Sequence, residues 1–264
     1  MDTQNSGLAG EPLPNTPTAA PLAYRAKLKP SAGLFVGALL AAILSALACW
    51  GAGEKGLLKV KPAERTVPMM SGSVTGATAE TRNAAKHQEA ALTYGILGAL
   101  TTATIGLVVG RLFGGRSAIL SLLGGLVVGG VLGGGAAAIL APVILNYQDL
   151  TGSMELFLPL FVHGGIFGAI GAAVGLVASF GTKDRRQILA SVLGGALGAI
   201  AGGVVYDIIG AIAFPMDETA QPISATTITR LLAFTLTSIG AAVGTVLSFP
   251  KAPKTTPTVI VAEA

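Results

Sequence analysis

Charge is what this sequence has least of. Only 11% of its 264 residues are Asp, Glu, Lys or Arg and 5% are aromatic, whereas 52% are hydrophobic and 37 are glycine. A soluble domain carries about 25% charged residues, so water is excluded as the solvent for most of this surface. Cysteine is nearly absent. The single Cys49 excludes an intramolecular disulfide and a multi-cysteine metal cluster and says nothing of redox compartment. Two histidines leave too few ligands for a protein-held metal, and no cofactor is expected. The 17 Lys and Arg give a formal charge of +4 and a pI near 9.3, but they are scattered through connectors and tails with no aromatic stacking platform beside them. Nucleic acid is therefore not expected as a partner. The apolar runs hold no paired carboxylates for acid and base work, and no glycine-flanked serine stands opposite His163 as a nucleophile. An enzyme is not expected.

What the sequence does have is long apolar runs. Six of them, at 31–50, 91–110, 117–145, 158–180, 188–214 and 229–249, come near the ~20 residues a membrane-spanning helix needs. The expected fold is an all-α integral membrane protein of six transmembrane helices spread over residues 31–249, with the lipid bilayer as its first partner. Residues 1–30, with Pro12, Pro14, Pro17, Pro21 and Pro30, and residues 250–264, with Pro250, Pro253 and Pro257, read as disordered tails.

Lys and Arg set the orientation, because positive charge is retained in the cytoplasm. Arg25, Lys27 and Lys29 precede the first span. Arg111 and Arg116 lie in "RLFGGR", Lys183, Arg185 and Arg186 in "GTKDRRQ", and Lys251 and Lys254 in the C-terminal tail. The facing connectors 146–157 and 214–228 have none, and Arg230 sits at the edge of the next span. Both termini are expected in the cytoplasm. The loop 51–90 is discordant, with Lys55, Lys59, Lys61, Arg65, Arg82 and Lys86, but long loops follow the rule poorly. Its end, "TAETRNAAKHQEAALTYG", is rich in helix formers and predicts a helix running into the second span. The first span also fits a secretory signal, with "ALA" at 46–48 as a cleavage site, although 30 residues before the apolar part are long for one. Cleavage would leave five spans. A lipid-attached Cys49 fits less well, since Ala46 and Leu47 reverse the order of sizes expected before it. Short loops and compactness suggest a bacterial cytoplasmic membrane.

The chain repeats itself. "AIGAAVGLVASF" at 169–180 returns as "SIGAAVGTVLSF" at 238–249, nine of twelve positions identical at an offset of 69. "LLGG" at 122–125 matches "VLGG" at 192–195, and "YGILGALTTATIGLVVG" resembles "HGGIFGAIGAAVGLVAS" with one residue of slip. Chance similarity between glycine-rich helices would explain the last match more easily than the first. Spans 2 and 3 thus recur as spans 4 and 5, and span 6 opens a third unit that is not completed. Two spans per unit make the repeats parallel.

Small residues recur every four positions. Gly33, Gly37 and Ala41 do so in the first span and Gly98, Thr102, Gly106 and Gly110 in the second. Gly125, Gly129 and Gly133 follow in the third, and Gly171, Gly175 and Ser179 in the fourth. Gly194, Gly198 and Gly202 mark the fifth, and Gly240, Gly244 and Ser248 the sixth. Each set makes a groove into which a neighbouring backbone fits, the pattern of a glycine zipper. A glycine-lined pore is the less common use of the same pattern.

Other motifs fail on context. "GAGEKG" at 51–56 fits G-x-G-x-x-G but follows an apolar span rather than a strand. "GLVASFGTK" at 175–183 has the wrong spacing for a phosphate loop. Asp149, Glu155, Asp217 and Glu218 make the two short outer connectors acidic, as solvated loops commonly are.

Asp207 and His163 remain. An ionisable side chain at membrane depth is expensive, by about 2.5 to 3.5 kcal/mol on insertion scales, and marks a functional site by default. Counting from Leu158 and Phe214 at 1.5 Å per residue, His163 lies about 8 Å and Asp207 about 10 Å deep, on sequential antiparallel helices. A contact is feasible. In the repeat His163 corresponds to Tyr94 and Asp207 to Ala137, so the pair belongs to the second unit alone. With Tyr206 and Tyr94 as possible neighbours, it reads either as a buried clasp between spans 4 and 5 or as a proton- or ion-responsive site. The spans hold few other polar residues, which ranks a non-enzymatic structural or assembly protein, associating with itself or with other membrane proteins, ahead of a small transporter or channel.

Overall fold

A computed structural model describes residues 32–69, 72–151, 157–217 and 219–249. The tails read at 1–30 and 250–264, Glu155, Glu218 and the side chain of Asp149 lie outside the described residues. Six helices dominate: α1 (Ala32–Glu54), α2 (Ala79–Gly110), α3 (Gly115–Thr151), α4 (Phe157–Ala178), α5 (Arg185–Ala213) and α6 (Thr227–Leu247). All six are long and apolar enough to cross a membrane, as in a polytopic membrane protein.

The helix ends follow from local chemistry. Thr78 caps α2 by accepting from the Thr81 amide at 3.3 Å, and Asp184 caps α5 by accepting from the Arg186 amide at 3.0 Å, each satisfying an otherwise orphaned donor. At 32 residues α2 is ~48 Å long, well beyond the ~30 Å of a hydrocarbon core, so its Ala- and Glu-rich first turns extend past the apolar part. A 3₁₀ turn, Arg111–Phe113, ends at Gly114, whose φ of 111° is one that only glycine adopts freely, and α3 starts at once.

One element has no counterpart in the sequence reading. Residues between α1 and α2 form an antiparallel hairpin of β1 (Glu64–Met69) and β2 (Gly72–Ala77), pairing Thr66 with Thr75 and Pro68 with Ser73. The hydroxyls of Thr66 and Thr75 meet at 2.9 Å, and Arg65 bridges to Glu80 at the start of α2 at 2.8 Å. Its strands are short, half polar and interrupted by Pro68, so periodicity gives little sign of them.

The helices pack in two shells. Contacts join α3 to α2 and α4, α5 to α4 and α6, and α1 to α6 and α2, while α4 also touches both α2 and α6. In the most apolar stretch of each helix the buried share is 50%, 61% and 44% for α2, α4 and α6, against 39%, 28% and 22% for α1, α3 and α5. The even-numbered helices are thus the inner ones. Rows such as Leu123, Val127 and Val131 on α3 and Leu189, Leu193 and Leu197 on α5 face outward.

Backbones come very close where helices cross. A Cβ at Gly129 would overlap the Gly98 carbonyl, and one at Gly125 would sit 2.6 Å from the Ala103 backbone. Between α4 and α5, Gly171 and Gly195 each abut the other's carbonyl, and Gly175 abuts that of Ser191. Between α5 and α6, Gly198 and Gly240 do the same, as do Gly194 with Gly244, and Gly202 abuts Leu236. Helix α5 therefore carries two adjacent rows. Gly194, Gly198 and Gly202 face α6, and the row through Ser191 and Gly195 faces α4.

Candidate functional site

Sequence spacing puts His163 in the second turn of α4 and Asp207 in the last third of α5. Antiparallel packing brings them together, with His163 Nδ1 2.7 Å from Asp207 Oδ1. Their side chains are 1% and 10% exposed. Phe167, one turn along α4, stacks on the imidazole at a ring separation of 5.5 Å and 13°, and Tyr206 meets it edge-on at 5.8 Å. Tyr94 of α2 lies one ring further off, edge-on to Phe167 at 5.8 Å.

The chain between α5 and α6 completes the site. His163 Nε2 donates to the Gln221 carbonyl at 3.1 Å, and the Tyr94 hydroxyl donates to the next carbonyl, that of Pro222. The Tyr206 hydroxyl lies 2.5 Å from Ser224 Oγ and donates to the Thr219 carbonyl at 3.4 Å. The same segment is tied to itself where Thr226 Oγ1 donates to Asp217 Oδ2 at 3.1 Å. Three inward side chains from three helices thus satisfy backbone oxygens and a hydroxyl of one connector, whose Pro222 and Ser224 are buried. Such groups would otherwise be desolvated without partners.

This geometry fixes the proton inventory of the pair. A carbonyl only accepts, so His163 Nε2 carries a hydrogen. The link between Nδ1 and Oδ1 then holds one proton, and the pair is neutral whether that proton sits on nitrogen or on oxygen. Asp207 Oδ2 is buried and makes no hydrogen bond. It is the one polar atom of the pair left without a contact of that kind.

Two polar features escaped the sequence reading. Trp50 Nε1 donates to the Thr227 carbonyl at 3.0 Å, and Glu54 pairs with Arg230 at 2.9 Å, joining the end of α1 to the start of α6. His87 Nε2 donates to the Ala138 carbonyl at 2.7 Å. That carbonyl lies four residues before Pro142, which has no amide hydrogen to offer it. The histidine therefore supplies the bond that proline removes. Proline inside an apolar run was the available signal, since it creates an acceptor in need of a donor.

A cleft of about 400 Å³ between α2 and α3 is lined by Glu80, Asn83, His87, Pro142 and Asn146. A second cavity, of only about 10 Å³, lies among Trp50, Glu54, Thr93, Ile223, Arg230 and Phe234. Neither is lined by His163 or Asp207. No group of three His, Cys, Asp or Glu side chains placed to hold a metal occurs among the described residues. No protein-family model, curated protein or solved structure matches the chain.

Proposed function

We propose that this chain is a non-enzymatic structural or assembly protein of a bacterial cytoplasmic membrane, with six spans and both termini in the cytoplasm. The bundle is built from a duplicated two-helix unit, α2–α3 and α4–α5, with glycine seams holding its helices in backbone contact, and it associates with itself or with other membrane proteins. His163 and Asp207 are a clasp that holds α4, α5 and the following connector in one arrangement. The observation that carries this reading is the engagement of both imidazole nitrogens by groups of the same chain, in a side chain 1% exposed. A transport pathway would instead need water or an ion to reach the pair.

The seams are consistent with a bilayer setting. Lipid chains are as apolar as leucine, so helices associate there through dispersion contacts and weak Cα–H···O bonds at close approach, which small residues permit. Charge at the short turns supports the orientation. Arg111 and Arg116 at the α2–α3 turn, and Lys183, Arg185 and Arg186 at the α4–α5 turn, are exposed at one end of the bundle, and the basic residues of the long 51–90 region at the other end carry less weight.

The free oxygen of Asp207 favours the second reading, a small transporter or channel with the pair as a proton- or ion-responsive site. One labelling experiment separates the two. Cys49 is replaced by Ser and Asp207 by Cys, and a membrane-impermeant maleimide is applied from each side. A folded protein that resists labelling from both sides is expected. Rapid labelling from either side would overturn the clasp in favour of a water-accessible path.

A further inference from the structure

The sequence repeat leaves α6 as the first helix of a third unit whose second helix does not follow it among the described residues. In the two complete units the second helix lies in a groove between two inner helices, α3 between α2 and α4, and α5 between α4 and α6. The remaining groove of this kind, between α6 and α2, is occupied by α1. We propose that α1 is the missing second helix, so that the bundle is three units, α2–α3, α4–α5 and α6–α1, around a pseudo-threefold axis, the third assembled from the two ends of the helical region. The inference rests on the repeat proposed above.

Direction and depth agree with it. The end of α1 meets the start of α6 through Trp50 with Thr227 and Glu54 with Arg230. Along α2 the contacts run in the opposite sense to the chain, with Gly37 facing Val108, Ser45 2.7 Å from Thr104 and the Cys49 thiol donating to the Thr93 carbonyl at 3.6 Å. Helix α1 is therefore antiparallel to both neighbours, as α3 and α5 are to theirs. It is also seated as deeply, since Ala42 of α1, Ala137 of α3 and Ala199 of α5 are all fully buried. A third sign comes from the inner helices. Tyr94 and His163, equivalent in the repeat, donate to the consecutive carbonyls of Pro222 and Gln221, as helices holding the same relation to one axis would do.

On this arrangement α1 is a permanent span of the folded protein, although its sequence also fits a leader ending at "ALA". The full chain, tagged at its C-terminus and purified from membranes, is weighed intact and melted in detergent beside Ala42→Phe, Ala137→Phe and Ala199→Phe. Leu44→Phe, on the outward face of α1, is the control, and Ser45→Ala is a milder change at the α1–α2 contact. The expected result is a mass that includes α1, similar losses of melting temperature for the three alanine variants, a smaller loss for Ser45→Ala and none for Leu44→Phe. A mass lacking the residues through Ala48 overturns the proposal. So does a full-length protein that Ala42→Phe and Ser45→Ala leave as stable as the wild type. Either result would leave the α2–α3 and α4–α5 repeat untouched, and an accessible residue 207 would leave the mass unchanged, so the two readings fail separately.

Discussion

Helix pairs α2–α3 and α4–α5 cross by the same device and differ in what they place beside it. In both, glycine lets one backbone rest on another, Gly98 on Gly129 in the first and Gly171 on Gly195 in the second. In both, a side chain from the inner helix donates to the connector before α6, Tyr94 in one and His163 in the other. Only the second pair adds an acid. Where α5 has Asp207, α3 has Ala137 at the aligned position, fully buried. The α2–α3 crossing therefore forms without an ion-pairing partner. A carboxylate at that height is something the α4–α5 pair has in addition, and in the clasp proposed above its work is to orient His163 toward Gln221.

The comparison breaks most severely if the seams are not shared. Replacing Gly129 or Gly195 by Leu drives a side chain into a carbonyl of the facing helix, and neither backbone can retreat without opening the crossing. Overpacking of a tight interior commonly costs about 1–3 kcal/mol, and backbone overlap belongs at or above the top of that range. Both variants are expected to lose most of their folded yield in detergent, to a similar extent. Gly135→Leu, at a position with nothing within 4 Å of a Cβ, should melt like the wild type. A tolerated Gly195→Leu beside a lost Gly129→Leu would mean that the two pairs are built differently.

Next comes the acid itself. His163→Ala leaves Asp207 buried with neither oxygen hydrogen-bonded, and removing one partner of a buried pair typically costs about 3–5 kcal/mol. The double change His163→Tyr with Asp207→Ala gives the second pair the residues of the first. It removes both members of the pair and restores a donor toward Gln221, so its melting temperature should lie well above that of His163→Ala. A double variant no more stable than the single one would show that the carboxylate supports the bundle independently of the histidine.

How far these features could be read in advance depends on their physics. The six helices were legible because a bilayer-length apolar run is a statement about one segment, and the helical start of α2 because Ala, Glu and Lys favour helix locally. His163 and Asp207 stood out because their cost at membrane depth is also local. The connector was not legible. Gln221 and Pro222 enter the site through their carbonyls, and the peptide oxygen is the same for every residue. The glycine spacing announced grooves but not their partners, since Gly194 and Gly195 lie on one helix and face different neighbours. The hairpin at Glu64–Ala77 was hidden by strands too short and too polar to alternate clearly.

The smallest effect concerns what the first pair has and the second lacks. Pro142 removes the amide that would bond Ala138, and His87 replaces it from across the α2–α3 interface. His87→Ala leaves that half-buried carbonyl short of a donor, a loss of about 1–3 kcal/mol if no other group moves in. Pro142→Ala in the same chain returns an amide to the position and should recover most of the melting temperature. Pro142→Ala alone should be close to neutral, because the carbonyl can accept from both donors. Thermal melts of the four proteins form a closed cycle. A cycle with no coupling between residues 87 and 142 would mean that the histidine holds α2 to α3 by its ring contacts, and that the proline is accommodated by the helix itself.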